Sequence, residues 1–172
     1  MSTQPVFPAN PHRIDPYKNY LFRVKMEVDG EWKTVLGVTK VSGLKRATEV
    51  ISHRSGGEND KDHKTPGRTK YEPITLERGI THDPDFQDWA MRIHPLEDSS
   101  RDLVNYRRTL QLEILNERMK PVIRYRLYKC WVSEFNLPEL DSSANALAIE
   151  SIKIELEGWD RDADLVEEFE GG

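Results

Sequence analysis

A single cysteine, Cys130, leaves the chain without any internal disulfide, and nothing in the sequence marks an oxidising compartment. No apolar run approaches the roughly 20 residues of a membrane-spanning helix. The N-terminus carries no hydrophobic signal core. Synthesis in the cytoplasm is therefore expected, and insertion into a membrane by this chain is not. A basic excess is missing too. The net charge is −5, and the segment from Asp160 to Gly172 holds six acidic residues against Arg161 alone, which accounts for the whole imbalance. Residues Met1 to Trp159 are formally neutral, which argues against a broad basic surface for nucleic acid.

An assembled catalytic or metal site is also lacking. His12, His53, His63, His82 and His94 stand singly, with no second ligand at metal-like spacing. Asn59, Asp60 and Asp62 have the look of a calcium loop but lack its sixth-position glycine and its closing glutamate. Gly56-Gly57 and Gly67-Arg68-Thr69 do not have the spacing of a phosphate loop, and no lysine precedes Thr69. Cys130 sits in an apolar run and reads as a small core residue. No enzyme, no cofactor and no metal are expected.

What the 172 residues do contain is strand pattern, enough for one domain. Met1 to Asn19 carries Pro5, Pro8, Pro11 and Pro16 and reads as an arm, because each proline removes a backbone donor. From Tyr20 to Val28, apolar and polar residues alternate as in a strand with one buried face. Asp29-Gly30 signals a two-residue hairpin turn. A partner strand is expected from Trp32 through Val41, interrupted at Ser42-Gly43. Thr48 to His53 and Lys70 to Leu76 are further strands, the second containing Pro73 and ending at Gly79. Asp83-Pro84-Asp85 opens a helix whose apolar stripe is Phe86, Trp89, Ala90 and Ile93, closed by His94-Pro95. Leu96 to Tyr106 is a polar connection. Thr109 to Asn116 and Val122 to Val132 alternate again, the latter with Ile123, Tyr125, Leu127 and Trp131 on one face. Ala146 to Trp159 is the last strand, closed by Gly158, and residues 160–172 form a mobile acidic tail. Consecutive strands without crossover helices predict an antiparallel β-barrel of two packed sheets with one flanking helix and a long extended loop.

That loop is the most unusual stretch. Ser55 to Arg68 holds three glycines, a proline and charges of both signs but no large apolar residue. It cannot enter a core, and it far exceeds the roughly two to six residues of most connections. Arg54, Lys61, Lys64, Arg68 and Lys70 stand against Glu58, Asp60 and Asp62. It is either a solvated loop or a subunit contact in which mixed charge fixes register and partner choice.

Pro66-Gly67, Tyr71, Ile74-Thr75-Leu76, Arg78-Gly79, Thr81, Phe86 and Trp89 together resemble the signature of the tail tube proteins of contractile phages and of extracellular contractile injection systems. The likeness extends upstream through Val41-Ser42-Gly43-Leu44 and Gly56-Gly57 and downstream through Leu137-Pro138, Ile149-Glu150 and Glu157-Gly158. It spans roughly Tyr20 to Gly158, taken here as residues 20–159 of a tube domain flanked by the arm 1–19 and the tail 160–172. The turn Asn116 to Pro121 lacks the glycine such proteins are expected to have. The resemblance implies a structural subunit that forms stacked hexameric rings around a lumen. Its long loop would reach the next ring through Arg54, Glu58, Asp60, Lys61, Asp62, Lys64 and Arg68. Sheath subunits, baseplate and spike hub proteins would be its partners, with cargo or DNA in the lumen of a phage-tail-like particle. Gly43, Gly67, Tyr71, Leu76, Arg78, Gly79, Phe86, Trp89 and Glu150 would be its structural motif, and Arg78 with Glu150 is expected to form an ion pair. The alternatives are a baseplate-proximal tube initiator and a monomeric β-barrel that grips a ligand.

Overall fold

The computed structural model describes residues 15–54, 56–57, 62–93 and 105–167. Their strands are β1 (Phe22–Val28), β2 (Glu31–Thr34), β3 (Val38–Val41), β4 (Arg46–Arg54), β5 (Asp62–Tyr71), β6 (Ile74–Gly79), β7 (Arg108–Leu115), β8 (Pro121–Asn136), β9 (Ile149–Glu155) and β10 (Gly158–Arg161). One helix, α1, spans Asp85–Met91. Every pairing is antiparallel. The main sheet runs β2-β1-β7-β8-β9-β6-β3 with β10 also on β8, and β4-β5 is a separate two-stranded ribbon. The fold is mainly β with antiparallel sheets and one helix, as expected. A closed barrel is not found: the strand path starts at β2 and ends at β3, and no pairing among the described residues joins the two.

The long strand β8 makes the sheet bend. Its first part pairs with β7 and β10, and its last residues pair with β9. The inner faces of the two halves bury one core, with Val24, Met26, Leu110 and Leu127 from one half and Ile74, Leu76, Val132, Ile152 and Ile154 from the other. Phe86 and Trp89 of α1 close it. Each buried aromatic or aliphatic side chain contributes roughly 1.5–3 kcal/mol, and this holds a helix too short to persist alone. The Trp89 indole N–H donates to the Tyr106 carbonyl at 2.8 Å, so the helix is also tied to the entry of β7.

Several expectations need correction. The run from Ser55 to Arg68 is not all loop, since residues from Asp62 onward belong to β5 and pair with β4. The mutual backbone ladder pairs the facing edges of both strands without any buried face. Pro73 lies between β5 and β6 rather than inside a strand, which fits its missing donor. Trp32 to Val41 splits into β2 and β3 around Gly37, at φ 76°, and β3 crosses to pair with β6. Trp131 does not share the face of Leu127: between them Lys129 adopts φ 53°, three residues of β8 span two of β7, and the extra residue turns Cys130 and Val132 inward. Gly158 does not close the last strand but begins β10, which returns along β8. Pro84 is the N-cap of α1 without a side-chain cap, and the Asp83 carboxylate instead accepts the Asp85 amide at 3.0 Å. The helix stop at His94-Pro95 and the connection through Val104 lie outside the described residues, as do the arm through Ile14 and the final residues 168–172.

Two turns follow the chemistry of their residues. Asp29 and Gly30 adopt φ 53° and 81°, as a tight hairpin requires. At the turn without glycine, Met119 takes φ 62° and Asn116 supplies the missing constraint, its side-chain oxygen accepting the amides of Arg118 and Lys120, each at 3.0 Å.

Candidate assembly surfaces

The β4-β5 ribbon gathers the sequence-predicted contact residues that are described. Arg54 ends β4, and Asp62, Lys64 and Arg68 lie on β5; Glu58, Asp60 and Lys61 fall outside the described residues. All nine residues of β4 are exposed. Arg54 stands opposite Asp62 in the ladder and its Nε donates to Oδ1 at 3.2 Å. The Thr48 and Thr69 hydroxyls share a hydrogen bond of 2.9 Å. Gly67 allows Ile51 to lie flat across the ribbon, since a Cβ there would meet the Ile51 side chain at 3.0 Å. Val50 remains 62% exposed and Ile51 40% exposed, so the ribbon presents apolar surface that this chain does not cover. The β8-β9 loop does the same with Leu137, Leu140 and Leu147.

Where the ribbon joins the body, Tyr71 packs edge-on against Trp159 with centroids 6.1 Å apart, and Arg46 lies over the Tyr71 ring at 5.9 Å. Gly43 follows β3, where Ser42 anchors the chain by donating its amide to the Thr75 carbonyl at 2.9 Å and accepting the Thr75 amide on Oγ at 2.8 Å.

The remaining motif residues converge at the base of α1. Alternation along β6 puts Ile74, Leu76 and Arg78 on the buried face, and alternation along β9 does the same for Glu150, Ile152 and Ile154. Register sets Arg78 opposite Glu150, with the guanidinium 1% exposed. Arg78 Nε donates to Glu150 Oε1, Nη1 to Asp83 Oδ2 at 3.2 Å and Nη2 to the Asp83 carbonyl at 2.6 Å. The Phe86 ring lies 4.0 Å below the guanidinium. The expected Arg78–Glu150 pair thus forms within one chain, and it fastens two strands to the start of the helix.

Sequence reasoning missed a second charged cluster, on the outer face of β1, β7 and β8. Glu113 is fully buried beneath Arg23 at 2.6 Å, Arg124 at 2.8 Å and Lys25 at 3.5 Å. Burial alone would raise its carboxyl, but the hydrogen bonds from Arg23 and Arg124 outweigh that and hold it below the usual carboxylate range. Arg124 and Arg126 also bind Asp162 at 3.2 and 3.0 Å, and Tyr128 donates to Asp160 at 3.0 Å. Farther on, Glu167 accepts from Tyr17 at 2.6 Å and from Asn116 at 3.4 Å. Residues 160–167, expected as part of a tail, thus make contacts back to the body. The signal was present as cations at Arg23, Lys25 and Arg124 facing an acid at Glu113, but it needed the strand pairing to be read.

The described residues include no group of His, Cys, Asp and Glu able to hold a metal ion. The Cys130 thiol is buried in the core and pushed up to about 12, mainly by that burial. No described helix is long and apolar enough to cross a membrane.

The sequence profile of the T4-like virus tail tube protein gp19 family matches residues 18–160. The chain belongs to this family. Solved structures share the tail tube fold at low identity. A chain of the anti-feeding prophage baseplate, six-fold symmetrised, superposes with a TM-score of 0.72 at 21% identity over 86% of this chain and 96% of that one. A chain of the PVC extracellular contractile injection system sheath–tube complex in the extended state gives 0.69 at 20% identity over 86% and 92%. A chain of the native gene transfer agent virion gives 0.57 at 10% identity over 86% and 100%. None of the curated protein sequences matches significantly.

Proposed function

We propose that this tail tube protein is the inner tube subunit of a contractile injection machine, a non-enzymatic conduit propelled by sheath contraction. Six copies form a ring, the inner strands of the ring join into one shared barrel around a lumen, and rings stack axially. The observation that carries this reading is the β4-β5 ribbon. Among the described residues its strands pair only with each other, all of β4 is exposed, and Val50 and Ile51 are left uncovered, which suits a contact with another copy. The open strand path from β2 to β3 supports the shared barrel, because a sheet that does not close on itself leaves edges for a neighbour. Sheath, baseplate and spike hub proteins are the further partners, and protein cargo or DNA occupies the lumen of a particle assembled in the cytoplasm or released from it.

Negative-stain electron microscopy across a concentration series, paired with light-scattering mass, tests the proposal. Rings or stacked tubes are the expected result. A monomer at every concentration, and no incorporation when tube fragments are supplied as templates, would favour a ligand-binding module instead. A second reading is a baseplate-proximal tube initiator, favoured by the likeness to a chain from the anti-feeding prophage baseplate. Single rings that never lengthen would select it over the main tube subunit.

A further inference from the structure

A cleft of about 640 Å³ opens between the β1-β2 turn, the end of α1 and the start of β7. Its walls carry Glu27, Asp29, Arg92, Asn105, Arg107 and Arg108. The three arginines are not equivalent. Arg107 is neutralised, with Nη1 3.3 Å from Glu157 and Nε donating to the Tyr106 hydroxyl at 2.9 Å. Arg108 is half-buried at the rim of the core, 5.4 Å from the Trp89 ring, and among the described residues its side chain's one hydrogen bond goes to the weak acceptor Sδ of Met26 at 3.0 Å. Neither Arg108 nor Arg92 has a carboxylate within 4.0 Å among the described residues. Burial and the positive charge of Arg92 both work against the charged form of Arg108, only partly offset by Asp85, Asp29 and Asp88.

Arg92 and Arg108 line one cleft at the mouth of the core with no carboxylate within 4.0 Å of either among the described residues, so their mutual repulsion is only partly offset by the more distant acids. An oxyanion would relieve it, because two planar guanidinium forks match the oxygens of a phosphate or carboxylate. We propose that Arg92 and Arg108 form an oxyanion-binding site in this cleft. Glu27 and Asp29 on the facing wall keep its net charge low, so it takes one phosphate or carboxylate group and repels an extended polyanion. The inference stands on the single chain and does not depend on tube formation.

The test is a titration of the full chain with inorganic phosphate at constant ionic strength in chloride buffer, followed by the NMR signals of the arginine Nε–H groups and the Trp89 indole N–H. Wild type should show saturable shifts at Arg92, Arg108 and Trp89. Arg92→Gln should weaken binding by about tenfold, while Arg107→Gln, whose guanidinium is already paired, should change it by less than about threefold. Arg92 makes no hydrogen bond or ion pair with another described residue, so its variant should keep the wild-type Trp89 indole signal and remain a fair comparison. Shifts that stay linear in phosphate, or saturable shifts that Arg92→Gln leaves untouched, would overturn the site. Sedimentation of assembling preparations then identifies the source. If both Arg92→Gln and added phosphate reduce assembly, the oxyanion is a carboxylate of a second copy. Assembly indifferent to both, with phosphate binding intact in wild type, assigns the site to a free oxyanion.

Discussion

The β4-β5 ribbon and the β6-β9 ladder each contain a cross-strand arginine–carboxylate pair in register, Arg54 with Asp62 and Arg78 with Glu150. The chemistry is the same and the surroundings are opposite. Arg54 and Asp62 side chains are 90% and 50% exposed, whereas Arg78 and Glu150 are 1% and 8% exposed. In water the pair is screened and loses side-chain entropy, so it contributes at most about 1 kcal/mol. In the core each charge has been stripped of water and depends on the other, on Asp83 and on the Phe86 ring. The inner ladder therefore helps specify how the chain folds, and the ribbon's charges add little to that fold.

The sharpest test of that contrast is Glu150→Gln, which leaves Arg78 buried and short of its carboxylate. Loss of one partner from a buried pair should cost about 3–5 kcal/mol, measured by urea denaturation. Asp62→Asn at the equivalent ladder position of the ribbon should cost about 0–1 kcal/mol. Equal effects would break the comparison, because they would mean that burial does not separate the two pairs.

Glu113 supplies an intermediate case. It is as buried as Arg78, but its cations Arg23, Lys25 and Arg124 remain partly in contact with water. Glu113→Gln should destabilise by about 1–3 kcal/mol, as expected for lost hydrogen bonds to a charged group. The pH dependence has a definite sign. Its folded value lies below the ordinary glutamate value of 4.5, so the unfolded chain binds the proton more readily. The stabilisation is complete above the unfolded value and is lost as pH falls through the folded one. Wild type should therefore lose stability on acidification below about 4.5 more steeply than Glu113→Gln, in denaturation curves collected stepwise from neutral pH.

How much of this was legible depends on whether one strand or two were needed to see it. Alternation within single segments located β1, β6, β7 and the apolar stripe of α1, because a buried face leaves a period that composition reveals. The ribbon hid in the opposite way. With no large apolar residue from Ser55 to Arg68, β5 has no buried face to set a period, and its strand character exists only through the ladder with β4. The inverted face at Trp131 was hidden because one residue at positive φ, Lys129, shifts the register, and lysine gives no hint of such a conformation. Arg54, Asp62, Lys64 and Arg68 were singled out from charge and loop length, and the structure places them on the ribbon. The Arg78–Glu150 pair came from the family likeness, and the Glu113 cluster was missed because its members are spread over three strands and the segment that follows Trp159.

The smallest expected effect on stability belongs to the apolar residues midway along the ribbon, where the contrast between the two regions makes its strongest demand. Val50 and Ile51 sit on an exposed strand, and replacing each with lysine removes little packing within the chain. The double variant Val50→Lys and Ile51→Lys should shift the free energy of unfolding by no more than about 0.5 kcal/mol. Buried in a contact with another copy, the same two side chains would each exclude water, and a lysine there would bring an unpaired charge into the interface. Assembly in the electron microscope should then fail although the protomer is intact. Shortening the ribbon, with residues 52–64 replaced by an Asn-Gly turn between the paired Ile51 and Thr65, separates the tip from the base. Rings without long tubes in that variant place the axial contact beyond Ile51. Tubes of normal length in both variants would leave the ribbon a solvated hairpin, and the exposed leucines of the β8-β9 loop would become the next surface to substitute.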